Sequence, residues 1–557
     1  MAKIGENLNI YKNIKKAVGD LDYSLVRHAK TPLNDTEENY IYSDSETTMA
    51  YIEEEIIKAN NKITNIPLTK TGKIRNYCRK NCLKGTRKGR RGTDVKYLKY
   101  RGLMKRLTIN SVKEYEHLKQ TFMGGFTHAN HSNANKIIKD VYSYDFTSSY
   151  PSVMIAERFP MSKGQLVNIK SKDEFYKYLK LYCCIFKATF YYIVEDFTYE
   201  HYISVSKCFN NEEIISDNGR VITAKKISIY LTNIDFEIIS KTYKWNKLEI
   251  SNMRIYKRGY LPKDFIYSIL TLYENKTKLK DVEEKIIEYQ ESKEELNGCY
   301  GMSVTDICRN EITYINDTWG EEPAESEKQL EKYNKDKRRF LFYPWGIFIT
   351  AYARRNLWTA ILELKNDYIY SDTDSVKFTN LKNHLNYFET YNKIVMDKIN
   401  KTLNYYEFPL EMANPKTIKG INKPLGVWDF EGHYLHFKTL GAKRYLLEQE
   451  DKSLKLVISG VNRKNALPYL KEKYESNENI FKAFKDGLYF EKGTTGKQTH
   501  TYIDEEFNSS VIDYLGNKLN VFEKSAVHLE ESDYELSLSI DYLKYLLGHT
   551  IKEYIGD

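Results

Sequence analysis

Two short stretches most constrain how this chain folds. "VYSYDF" (141–146) and "YIYSDTDSVKF" (368–378) have the composition of strands, yet both carry carboxylates. In the second, Asp372 and Asp374 lie two apart and point the same way in an ideal strand, a face shared with Tyr368, Tyr370 and Val376. A turn or bend near Asp372–Thr373 is therefore expected. Half-burying two carboxylates is costly unless a cation or hydrogen-bond donors neutralise them. An Asp-cornered turn is the plainer reading, since Asp is a common turn residue. It does not explain the other stretch, where Asp145 ends an alternating strand and small hydroxylated residues and Tyr150 follow. If Asp145 and Asp374 meet across adjacent strands, they make an oxygen-rich site for Mg2+. Two such ions about 4 Å apart would activate an attacking hydroxyl and stabilise a leaving oxygen.

A third segment, "KEELNGCYGM", places Lys293, Asn297 and Tyr300 on one helix face, with Gly301 next. The Lys can meet a phosphate as a point charge, and the Tyr offers a flat surface. Taken alone this is an ordinary amphipathic helix. Residues 70–106 carry many Lys and Arg and a single acid, Asp94, with Tyr77, Tyr97 and Tyr100 among them. That composition suits either a solvated charged face or an arm that meets single-stranded nucleic acid by charge and stacking.

The 557 residues exceed one simple core, so two to four domains are expected. Hydrophobic content of 41% and charged content of 29% fit a soluble globular chain. No run of eighteen apolar residues predicts a membrane span, and "MAKIGENLNIYKNIKK" lacks the apolar core of a signal peptide. Seven scattered cysteines suit a reducing, cytoplasmic compartment. A charge of +9 is modest for this length, so its distribution matters more than its total.

Along the chain, "EENYIYSDSETTMAYIEEEIIKAN" reads as an acidic helix closed by Pro67. "TFMGGF" (121–126) forms a Gly-Gly turn, and Pro151 can open a helix. Residues 165–255 hold short strands, 259–300 a long helix or helical pair, and "FYPWGIFITAYARRNLWTAILEL" a buried helix. A terminal helix is expected at "SIDYLKYLLGHT".

Three motifs in one order resemble those of family-B DNA polymerases: "DFTSSYP" motif A, "KEELNGCYG" motif B and "YSDTDS" motif C. Lys443-Arg444-Tyr445 resembles the Lys-x-Tyr motif that follows them, and "FMGGF" the Tyr-x-Gly-Gly motif that precedes them, with Phe122 in the Tyr position. "LGVW" (425–428), "YPWGIFITAYAR" (343–354) and two inserts resemble the protein-primed subgroup of phages and linear plasmids.

The resemblance implies an α+β right hand whose antiparallel palm sheet carries Asp145, Asp372 and Asp374. It divides the chain into an exonuclease remnant (1–60, expected on the palm), a basic connecting arm (61–120) and palm with motif A (121–164). An insertion like terminal-protein region 1 (165–257), fingers with motif B (258–302) and an insertion like region 2 (303–341) follow. Palm with motif C and Lys-x-Tyr (342–457) and a thumb (458–557) complete it.

Carried over by residue, Asp145 and Asp374 would bind two Mg2+ ions, for which Mn2+ can substitute, and Asp372 would support them or the primer end. Phe146, Ser148 and Ser149 would bring backbone to the triphosphate, Tyr150 would pack under the sugar, and Lys293, Asn297 and Tyr300 would meet the incoming nucleotide. Gly124, Gly125, Lys443 and Tyr445 would hold the primer strand. A second triphosphate cation would be Lys276, Lys278 or Lys280. The implied activity is template-directed DNA synthesis from dNTPs on a DNA template and primer, begun on a terminal protein and away from membranes.

"NYIYSD", with Tyr40 and Asp44, resembles the third exonuclease motif, and "VGDLDY" (18–23) the segment before it. The first two motifs are absent, so proofreading is not expected from this chain unless a separate exonuclease chain supplies it. One rival is a catalytically inactive nucleic-acid-binding replication factor, which would not need Asp145, Asp374 and Lys293. Another is a glycosyltransferase, which would fit Asp372-Thr373-Asp374 alone but not the ordered motifs. Cys78 and Cys82 lack further zinc ligands nearby, and His433, His436 and Cys299 read as ordinary packed or exposed residues.

Overall fold

The computed structural model describes residues 31–536, apart from 68, 87–88, 90–93, 283–284, 316–317, 497 and 513–515. The segments "VGDLDY" and "SIDYLKYLLGHT" lie outside the described residues. Two compact units emerge. The larger takes in residues 69–443 and 447–452, and the smaller residues 31–67, 444–446 and 453–536.

In the larger unit, five antiparallel strands run in the spatial order β1-β3-β4-β2-β5. They are β1 (Thr127–Ala129), β2 (Ile138–Phe146), β3 (Tyr368–Asp372), β4 (Ser375–Phe378) and β5 (Trp428–Thr439). Alternation sorts their side chains. Asp145 is opposite Ser375 and Asp429, and Ser143 is opposite Lys377, so this set shares one polar face. Tyr144, Phe146, Val376, Phe378 and Trp428 share the other. That face is apolar and covered: Tyr144 stacks on Phe388 at 4.2 Å and Phe146 on Trp428 at 3.6 Å between ring centroids. Burial on one side and polarity on the other is the ordinary economy of an antiparallel sheet.

Helices of this unit that bear on the site are α1 (Ser149–Ala156), α2 (Lys263–Leu279), α3 (Ile286–Gly301), α4 (Tyr343–Leu364) and α5 (Leu381–Tyr406), of which α4 and α5 pack on the sheet. The pair α2 and α3 matches the helical pair read from 259–300. In α4 nearly every residue is buried, Trp345 and Trp358 completely. The segment 165–256 forms its own antiparallel sheet, centred on Cys183–Glu195 between Lys247–Tyr256 and Arg220–Thr232. The segment 303–341 holds a hairpin, Glu311–Ile315 with Thr318–Glu322, and the helix Ser326–Lys335.

The basic segment is not a free arm. It forms two helices, Lys70–Leu83 and Val95–Arg106, whose Ile74, Cys78, Cys82, Tyr100 and Met104 are buried. Their cations are partly spent on the protein: Lys70 pairs with Glu294 at 2.5 Å and Lys96 with Asp264 at 2.9 Å, while Arg101 donates to the carbonyls of Lys335 and Asp336. Tyr100 donates to the Phe340 carbonyl and is unavailable for stacking on a base. Cys78 faces Cys299 with the sulfurs 3.9 Å apart.

In the smaller unit, Asp35–Lys58 is one helix, opened by a capping box of Asn34 and Glu37. It ends nine residues before Pro67, where Asn60 and Asn61 both adopt φ 57. Tyr40 and Asp44 lie four apart on this helix. These residues group with 453–536 in the smaller unit. Among the described residues no helix is long and apolar enough to cross a membrane.

Candidate active site

The carboxylates meet through a tight turn. Asp372 ends β3, Ser375 opens β4, and Thr373 and Asp374 connect them. Asp374 donates its N–H to the Asp372 carbonyl at 2.6 Å, with Thr373 at the apex at φ 59. That is a γ-turn with a β-branched residue in the left-handed region, a strained conformation. The Thr373 N–H is held by the Phe126 carbonyl at 2.7 Å, and its hydroxyl reaches Asp372 Oδ1 at 3.2 Å. The bend foreseen near Asp372–Thr373 is present, and it turns Val376 away to the apolar face.

Asp374 is also fastened to β2, since the Phe146 N–H donates to its carbonyl at 2.8 Å. Asp145 and Asp374 therefore come together across adjacent strands. Burial pushes the Asp145 carboxyl well above its ordinary range, and the charges of Asp374 and Glu431 add to this. Burial also raises Asp374, with Asp372 adding to it and Lys293 opposing. Such a pair favours a cation, and its donors are hard oxygens of the kind that hold Mg2+ or Mn2+. Asp372 is oriented separately, accepting from Thr127 Oγ1 at 2.7 Å and lying 3.7 Å from Lys443 Nζ. The Lys443 N–H donates to Tyr370 Oη.

Two lysines converge from the helical pair. Lys293 and Asn297 are exposed on α3, one turn apart, and Tyr300 a turn further on stacks on Tyr150 with centroids 4.3 Å apart. From α2, Lys276 Nζ donates to Ser148 Oγ at 2.8 Å. Burial lowers the Lys276 ammonium to about 8, with Lys293 and Lys280 adding to the shift and Asp145 and Asp374 opposing it. Lys278 instead pairs with Glu274 along its own helix at 2.6 Å. Of the three lysines left open by the sequence, Lys276 is the one hydrogen-bonded at this site.

Ser148 precedes α1 at φ 61, a left-handed cap. Ser149 is buried and its carbonyl accepts from Ser152 Oγ. Phe146, expected to bring backbone to a triphosphate, has its ring in the core, since alternation along β2 sends it to the face opposite Asp145, and its N–H donates to the Asp374 carbonyl. Tyr445 falls in the smaller unit, on the strand Arg444–Gln449, and is half-buried there.

The Gly124–Gly125 loop packs on this turn. A Cβ on Gly125 would lie 2.8 Å from Thr373 Cγ2 and 3.0 Å from Tyr150 Oη, so only glycine fits without displacement. The residue that fixes the loop was not singled out in the sequence. Arg354, on α4, donates through Nη1 to the Met123 and Gly124 carbonyls, through Nε to Tyr202 Oη and through Nη2 to Asp235 Oδ1 at 2.6 Å. A charge buried in a largely apolar helix must be paired, and that was the available signal. Ser143, Lys377 and Glu431, on the polar face below Asp145, were also missed. Ser143 Oγ donates to Glu431 Oε2 at 2.6 Å and accepts from Lys377 Nζ at 3.1 Å.

A family model described as DNA polymerase type B, organellar and viral, matches residues 93–393. Curated relatives named DNA polymerase include those of Bacillus phage Nf, 26% identical over 284 residues (50% of this chain, 45% of the relative), and Bacillus phage phi29, 27% identical over 288 residues with the same coverage. That of Streptococcus phage Cp-1 is 25% identical over 370 residues, 64% of this chain and 53% of the relative. The chain spans about half the length of the curated relatives it matches. Among solved structures, Phi29 DNA polymerase complexed with primer-template DNA and incoming nucleotide substrates shares its fold. That match has TM-score 0.59 and 18% identity, and covers 96% of this chain and 78% of the other.

Proposed function

Since the chain belongs to the family of type B DNA polymerases, organellar and viral, we propose that it is a DNA-directed DNA polymerase using dNTPs. The observation that carries this reading is the meeting of Asp145 and Asp374 on the polar face, with Lys276 and Lys293 brought to the same place by two helices.

Divalent ions, two Mg2+ in this reading, would be held by Asp145 and Asp374. Bound there, they would lower the pKa of the attacking hydroxyl and offset the charge of the leaving pyrophosphate. The protein's own groups do the rest. Lys276 and Lys293 place two cations where a triphosphate lies, and fixed charge of this kind costs no reorganisation during reaction. The stacked Tyr150 and Tyr300 form a flat wall for the sugar and base. Thr127 and Thr373 hold Asp372, and Lys443 lies beside it, where it would meet the primer strand. Fixing the reacting groups in this way makes an otherwise bimolecular displacement effectively intramolecular. Initiation on a hydroxyl of a terminal protein is part of the proposal. It is supported by the two inserts at 165–257 and 303–341 and by the phage relatives.

Extension of a labelled primer on a template with a 5′ overhang, with Mg2+ and four dNTPs, tests the reading. Wild type should extend, and Asp374→Ala should lose at least about 10^2-fold in rate while still binding DNA. No extension by wild type, or undiminished extension by the variant, would overturn it.

A further inference from the structure

Away from the carboxylate pair, the segment 195–217 meets the loop after β1 in a buried cluster. His201 and Asp217 are almost fully buried and His131 is 12% exposed at its side chain. His131, His201 and Asp217 each turn one ligand-type atom to a common point, all within 4.8 Å of one another. The atoms are Nδ1 of both histidines and a carboxylate oxygen. His201 Nδ1 is 3.6 Å and His131 Nδ1 3.9 Å from Asp217 Oδ2, too long for hydrogen bonds. Among the described residues, neither Asp217 oxygen nor His201 Nδ1 has a hydrogen-bond partner, although both groups are sealed from solvent. The buried carboxylate thus lies within ion-pair range of two imidazoles with no hydrogen bond to seat it.

The opposite edges of the rings are already held. His201 Nε2 contacts Glu195 Oε2, and His131 Nε2 lies 3.2 Å from Ser132 Oγ. A carboxylate or hydroxyl behind a histidine fixes the tautomer that turns the other nitrogen to a metal. Glu200 stands behind the cluster, 2.6 Å from His128 Nδ1 and accepting from Tyr368 Oη at 3.0 Å.

We infer that His131, His201 and Asp217 form a binding site for one Zn2+ ion, separate from the carboxylates of the sheet. Two imidazoles and one carboxylate select a borderline ion over Mg2+, and a fourth position would remain for water entering past His131. Tetrahedral donors stand about 3.3 Å apart, so the three groups must close by roughly 1 Å. Two of them sit where this is easy: His131 in a short surface turn, and Asp217 beside Asn218 and Gly219, a turn at φ 45 and 80.

The ion would act as a staple. Asn130, next to His131, binds β3 twice, through its N–H to the Ile369 carbonyl and its Nδ2 to that of Tyr368. Asp217 ends the strand Phe209–Asp217 of the other sheet. Zinc would thus tie that sheet to the strand edge on which Thr127 orients Asp372.

The test uses the full chain with Asp145→Asn and Asp374→Asn, stripped by a chelator and dialysed against micromolar Zn2+ in excess Mg2+. One equivalent of zinc should bind. His131→Ala, at the rim of the cluster, should weaken it at least about 100-fold, and Glu195→Gln about 10- to 100-fold. Co2+ added to the unsubstituted chain should give the visible absorption of a tetrahedral site, which requires no variant to fold. Failure to bind zinc, zinc retained in His131→Ala, or zinc lost instead with Cys78→Ser would overturn the inference.

Discussion

Replacing Arg354 by Met would cut the anchor of the Gly-Gly loop without leaving a large cavity. The side chains of Arg354 and Asp235 are 4% and 0% exposed, so the pair is screened by almost no water. Breaking a buried pair from one side costs about 3–5 kcal/mol, because the remaining charge stays buried. Here Asp235 still accepts from Thr232 and Tyr202 hydroxyls, which favours the lower part of that range. The Met123 and Gly124 carbonyls also lose their donor, at about 1 kcal/mol each. The single variant should therefore lose about 4–5 kcal/mol. Asp235→Asn should cost about 3 kcal/mol, and the double variant well under the sum, with a coupling of about 2 kcal/mol. Urea unfolding followed by tryptophan fluorescence reads this, because Trp358 stands edge-on to Tyr202 at 5.4 Å. A coupling below about 0.5 kcal/mol would refute the assignment of Arg354 as the anchor.

Glu157 is buried between Arg355 and Lys398, at 2.7 and 2.8 Å, and although burial opposes ionisation the two cations hold its carboxyl down to about 2. A depressed carboxylate stabilises above its unfolded pKa and loses that contribution as pH falls towards the folded value. Glu157→Gln should thus cost about 3 kcal/mol at pH 7, with the deficit shrinking from about pH 4.5 downward in denaturant titrations. A pH-independent deficit would contradict this. A triphosphate beside Lys276 favours its charged form, so dNTP affinity should be full below about 8 and fall above it. The expected slope is about tenfold per pH unit, and Lys276→Gln should flatten it, as measured by nucleotide titration from pH 7 to 9.5. Gly125→Ala should slow primer extension and cost about 1–3 kcal/mol through its clash with Thr373 and Tyr150. Adding Thr373→Ser, which removes the methyl, should recover part of both losses.

The carboxylates, Lys293 and the Tyr300 face were legible because each signal is local: a spacing of two on a strand or of four on a helix. The two strands could be read, but their pairing could only be supposed, since Asp145 and Asp374 are far apart along the chain. Arg354 escaped because its partner Asp235 lies 119 residues away and neither is unusual alone. The histidine cluster escaped for the same reason. The basic segment shows how composition underdetermines structure: it folds into helices, and Lys70, Lys96 and Arg101 are matched by Glu294, Asp264 and backbone carbonyls that no local pattern announces.

The two-faced sheet also governs how this protein can fail. A slip of one residue in the pairing of β2 with β4 would carry Asp145 into the aromatic layer and Tyr144 or Phe146 out to water. The cost falls on the whole larger unit and not on the site alone. A molecule of this chain that has lost its carboxylate geometry by misfolding has therefore also lost its core, and remains visible to a protease. Assembly of the core acts as quality control on the reaction centre, and folded molecules with a scrambled site should be rare.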